Sequence, residues 1–123
     1  MKKLIAAGVA LLVLAAPANA QSADQVRDAR CAYLKSVILG VYLEDAEPDQ
    51  QTIAGLISNI TYFFGRLEAT MERPDIADLI ISEGKTFETD EQIVEAEAIC
   101  DAHLEGTTAF MQEVGERLQQ DSE

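Results

Sequence analysis

Residues 50–71 read QQTIAGLISNITYFFGRLEATM, and the fold turns on how this stretch is read. Ile53, Leu56, Ile57, Ile60, Phe63, Phe64, Leu67 and Met71 recur at steps of three and four. That spacing lays apolar side chains along one face of an α-helix, whereas a strand would alternate them. Asp49 stands ahead of the run as a cap, with Pro48 stopping whatever precedes it. Glu72-Arg73-Pro74 ends the run, and Pro74 suits the first turn of a short third helix. Ile76, Leu79 and Ile80 are expected to face inward there, and Gly84 is expected to close it in the left-handed conformation.

Upstream, Ser22 and Gln25 have the spacing of a capping box, so a first helix is expected from there to about Leu43. Val26, Ala29, Tyr33, Val37 and Tyr42 lie near one face of it. Val37 to Leu43 is apolar almost all round and rich in β-branched residues, but no turn signal separates it from the capped start. Its surplus apolar face suggests a homodimer contact. Downstream, Thr89 and Gln92 repeat the capping box and open a fourth helix. Its expected stripe is Ile93, Ala96, Cys100, His103 or Leu104, Thr107, Met111, Val114 and Leu118. Gly106 and Gly115 weaken that helix by about 1 kcal/mol each relative to alanine, and residues 119–123 are expected to fray. Short connections favour antiparallel neighbours. The expectation is therefore all-α: a small up-and-down bundle of four helices, forming one acidic domain over residues 21–123.

The first twenty residues read as a cleavable leader. Lys2 and Lys3 give a positive start, Leu4 to Ala16 is uncharged and apolar, and Pro17 breaks the helix. Ala18-Asn19-Ala20 then offers small residues where a signal peptidase cuts, which places cleavage between Ala20 and Gln21. A membrane span takes about 20 apolar residues, so this run is too short to anchor. The style is bacterial, and the expected address is the periplasm, with the extracellular medium as the alternative. No long apolar run follows, so no stable membrane insertion is expected after cleavage.

Without Lys2 and Lys3, seven basic residues face 22 acidic ones, a formal charge of −15. Nucleic acid and anionic membrane are poor partners for such a chain, because phosphate contact needs a basic patch. Cationic proteins or peptides remain admissible.

Cys31 and Cys100 are the only cysteines, and an even count in an oxidising compartment implies a disulfide. Antiparallel first and fourth helices would bring the two to one height. Closing a loop of about 70 residues contributes roughly 4 kcal/mol in the chain-entropy account. The rival reading uses Cys100 and His103, three apart on one face, as a reactive thiol or half a metal site. It lacks a Cys-x-x-Cys pair and further ligands, so neither a metal nor a cofactor is expected.

His103 is the sole histidine, and no carboxylate is placed to orient it. No phosphate-cradling glycine loop or nucleophile elbow occurs either, so the chain reads as non-enzymatic. A small ligand or a haem carried between the helices, the haem held by His103 and Met71 or Met111, is an alternative function, although the covalent attachment signature is missing. Glu88, Asp90, Glu91, Glu95, Glu97, Asp101 and Glu105 make the densest acidic run, read as a solvated helix face. An acidic inhibitor of cationic proteins or peptides is a further alternative, and its binding would weaken steeply with salt.

Ile93-Val94-x-Ala96 leading to Cys100, then Phe110 and Val114, together with Cys31 followed by Tyr33-Leu34, resembles the periplasmic acid-stress chaperones of the HdeA type. Set against that family, the cysteines here lie farther apart, tryptophan is absent and the surface is more acidic. The resemblance implies a small helical protein with one disulfide that holds unfolding proteins at low pH. In strong acid all 22 carboxylates become neutral, leaving seven basic side chains and His103, and the charge swings from −15 to about +8. Expansion would then expose the stripe from Ile53 to Met71 for protein clients while the disulfide limits the unfolding.

Overall fold

The computed structural model describes residues 21–122. The expected leader, and with it Ala20 of the cleavage pair, lies outside these residues; Gln21 is exposed just ahead of the first helix.

Four helices and no strand are found among the described residues: α1 (Ala23–Leu43), α2 (Gln50–Glu68), α3 (Arg73–Gly84) and α4 (Asp90–Asp121). Each start has a local cause. Ser22 and Thr89 both form complete capping boxes, with Gln25 and Gln92 returning the bond to the cap backbone. Asp49 accepts from the Gln51 amide at 3.1 Å and the Thr52 hydroxyl at 2.7 Å. Those two bonds, the hydroxyl first, hold its carboxyl below the ordinary 3.8. Pro74 occupies the first turn of α3, where its missing N–H costs nothing.

Helix α1 is the hub. Gln25 bonds Thr70 and Asp28 bonds Arg66, so α2 runs antiparallel to it. Arg30 reaches Glu83, and Tyr33 lies against Gly84, so α3 runs parallel. Cys31 and Cys100 are joined, with Lys35 on Glu97, so α4 returns antiparallel. The up-and-down bundle is thus realised.

Two small clusters make the core. Ala29, Leu67, Ile76 and Leu79 pack together with Phe64, Met71 and Ile80 around them. Cys31, Ala32, Phe63 and Cys100 form the other, flanked by Tyr62 and Leu104.

Several sequence expectations are corrected. On α1 the inward face carries Asp28, Ala29, Cys31, Ala32, Leu34 and Lys35, whereas Val37 and Tyr42 are exposed. The reason is that α4 and α2 meet α1 through ion pairs and the disulfide, which fixes a face that hydrophobicity alone would not choose. Ile57 is 50% exposed although it belongs to the α2 stripe, because the covered sector of α2 is centred on Ile53, Leu56, Phe63 and Leu67. Gly84 is not left-handed: no described glycine has a positive φ. It ends α3 in helical geometry, and a Cβ there would lie 2.6 and 2.8 Å from the Tyr33 ring atoms Cδ2 and Cζ. Close approach, not chirality, calls for glycine. On α4 only Ala96 and Cys100 are buried; Ile93, Met111 and Leu118 are exposed, and the helix continues through Asp121 where fraying was expected.

Candidate functional site

The polar side chains drawn into the bundle lie where α1 meets the other three helices. Asp28 on α1 is 3% exposed. Its Oδ1 accepts from Arg27 Nη2 at 2.8 Å and Nε at 3.1 Å, and its Oδ2 accepts from Arg66 Nε of α2 at 2.9 Å. The bond to Asp28 raises the Arg66 pKa. Two residues on, Arg30 Nε donates to Glu83 of α3 at 2.9 Å and Nη2 to Thr86 at 3.0 Å. Its guanidinium also covers the Phe87 ring, which in turn stacks on Tyr33.

Lys35 closes the series toward α4. It is 5% exposed and donates to Asp101 at 2.8 Å and Glu97 at 3.1 Å. Burial works against its charge, yet the bonds to Asp101 and Glu97 prevail and raise its pKa above 10.5. The acidic run of α4 is therefore not wholly a solvated face: Glu97 is half-buried, and its Oε1 is buried without a partner. Helix α1 thus holds α2 and α3 by one charge pair each and α4 by two, through Lys35.

The disulfide sits between these pairs. Cys31 and Cys100 are bonded with Cα atoms 5.6 Å apart, and both are fully buried beside Phe63. The thiol reading of Cys100 is excluded, since no described cysteine is free.

His103 lies one turn beyond Cys100. Its Nε2 is 2.9 Å from the Tyr62 hydroxyl, which is 3.0 Å from Thr107 Oγ1, and that hydroxyl donates to the His103 carbonyl. Tyr62, His103 and Thr107 thus form one hydrogen-bonded chain between α2 and α4. Burial, then the charges of Arg27 and Arg66, lower the His103 pKa below 6.5, against the opposing pull of Asp28 and Asp24. The result is a neutral imidazole used to join α4 to α2. Met71 packs on the Ala29–Leu67 cluster and Met111 is exposed, so neither shares the buried surroundings of His103.

The structure places Ile53, Leu56, Phe63 and Leu67 of the expected interaction stripe in the core, with Ile60 and Phe64 half-buried and Ile57 at the surface. Apart from Ile57, the stripe is wholly or partly covered in this folded state. Asp28 and Lys35 were missed by sequence reasoning; the one available signal was their position between apolar residues of a capped helix. No described helix is long and apolar enough to cross a membrane, and no cluster of three metal-ligating side chains occurs among the described residues. Comparison of the chain with protein-family models, with curated proteins and with solved structures yields no match.

Proposed function

We propose that this is a small, non-enzymatic periplasmic interaction protein of stress-chaperone character, switched by acid. The observation that carries the reading is the set of four charge pairs radiating from α1: Asp28–Arg66, Arg30–Glu83, Lys35–Glu97 and Lys35–Asp101. An ion pair needs its carboxylate charged, so strong acid removes these pairs, while the covalent bond between Cys31 and Cys100 is indifferent to pH. The bundle then loosens without losing its central crosslink. Ile53, Leu56, Phe63 and Leu67 leave their cover on α1 and present one apolar stripe to unfolding clients. A leader-directed address in the periplasm fits this role, because that compartment takes up the pH of the medium. The positive charge acquired in acid keeps the opened chain and its clients dispersed.

The test is aggregation of an acid-sensitive client followed by light scattering at pH 2–3, with and without the purified protein. Suppression at that pH and none at pH 7 is the expected result. Equal scattering with and without the protein at pH 2–3 sinks the reading.

A further inference from the structure

The seam that α4 turns toward the bundle does not stop where the bundle stops. Cys100, Leu104 and Thr107 face α1 and α2, through the disulfide, the Phe63 cluster and Tyr62 respectively. The same three-and-four spacing continues through Met111, Val114 and Leu118. At about 3.6 residues per turn, Leu118 stands five turns from Cys100 and so points in the same direction. Beyond Thr107 no described side chain of α4 is buried, and Phe110, Met111 and Leu118 are each about 60% exposed or more. An intramolecular interface thus runs on into solvent with its apolar pattern intact.

The charges beside this seam are selective. Although the chain has 22 acids, none lies in the seam or at its flanks between Thr107 and Leu118; the flanking residues are Thr108, Phe110, Gly115 and Arg117. Glu113 and Glu116 stand on the far side of the helix. Arg117 is the only basic residue after Lys85. Its bond to Glu113 is exposed on both sides, a contact that water and salt readily exchange. A cationic partner would seek the acidic face instead, and an anionic membrane would be repelled by the whole molecule. A second copy of this helix fits. In an antiparallel pair Met111 meets Val114 of the other copy, and Arg117 lies over the other Phe110, so one patch is its own complement.

We propose that the C-terminal stretches of two α4 helices pack antiparallel through Met111, Val114 and Leu118, giving a homodimer at neutral pH. The inference is independent of the acid-switched reading. Its overlap is short, well under the roughly 800 Å² per partner of a stable interface, and both copies carry like charge. The dimer is accordingly weak and tightens with salt, which screens the repulsion.

Sedimentation equilibrium of the full secreted chain from micromolar to millimolar concentration tests it. Leu118→Glu is expected to weaken self-association by about tenfold or more, because one buried leucine is worth that factor. Val41→Glu, on the apolar end of α1 where the sequence suggested the dimer contact, separates the two faces and is expected to leave self-association unchanged. Circular dichroism checks that both variants keep their helices. Orientation is read by mixing: Met111→Lys with Val114→Glu should restore association, whereas Leu118→Lys with Leu118→Glu should not. A chain that stays monomeric throughout, loss caused by Val41→Glu alone, or rescue by the Leu118 mixture alone overturns the proposal.

Discussion

Asp28 accepts from two arginines while almost wholly buried, so its charge cannot be removed without consequence. Asp28→Asn leaves Arg27 and Arg66 facing each other without their anion. Breaking such a pair costs about 3 kcal/mol, to be seen as a lower urea midpoint with unchanged slope. The same variant reports electrostatically on His103. Asp28 raises the His103 pKa, whereas Arg27 and Arg66 lower it. Its removal should therefore carry the imidazole further below 6.5, measurable by NMR titration, and an upward move would contradict the assignment. His103 itself links stability to pH. In the unfolded chain it takes up a proton near 6.5, but in the folded protein only at lower pH. The native state loses stability as the pH falls below 6.5, and the loss is complete below the folded value. His103→Gln should flatten the stability profile between pH 7.5 and 5.5, where few carboxylates titrate. Gly84 offers a steric counterpart: Gly84→Ala drives a methyl into the Tyr33 ring and should cost about 1–3 kcal/mol. Gly106→Ala, with open space around it, should stabilise by about 0.5–1 kcal/mol.

The joint between α1 and α4 is made by Lys35 with Glu97 and Asp101, alongside the disulfide. Lys35→Met strands the half-buried Glu97 carboxylate, a loss of about 3 kcal/mol, while the added Glu97→Leu should recover most of it by replacing the pair with apolar packing. Thermal melts of the single and double variants decide this; additive losses would refute it. Because the Lys35 pKa is raised, its contribution is fully present below 10.5 and disappears as alkali carries the pH through the folded value. This joint also marks the limit of what sequence could tell. The α2 stripe and the caps at Ser22, Asp49 and Thr89 were all legible, since each depends on neighbours within one helix. The inward face of α1 was not. Its burial of Asp28 and Lys35 is compensated by residues 38 to 66 positions away, and periodicity carries no signal at that range. Apolar Val37 and Tyr42 drew the expected face round to the wrong side for the same reason.

Taken whole, the molecule combines a thin core with one crosslink at its centre. The pairing of Cys31 with Cys100 was legible because only two cysteines exist; their shielding by Phe63 was not. That shielding makes the bond a gauge of opening. A phosphine reductant should cut it slowly at pH 7, where the helices cover it, and much faster at pH 3 if the charge pairs have failed, as counted by thiol labelling after return to neutral pH. No acceleration at pH 3 would show that the bundle stays shut in acid. The position of the crosslink has one more effect. It ties residues 31–100 into a covalent ring that contains α2 and α3 entire and leaves the last 23 residues hanging outside. A protease that nicks any of the three interhelical loops therefore frees no fragment, because both ends of the cut stay joined through the crosslink. A cut past Cys100 sheds a piece for good. Cleavage between the two cysteines therefore conserves the whole molecule, and cleavage beyond Cys100 does not.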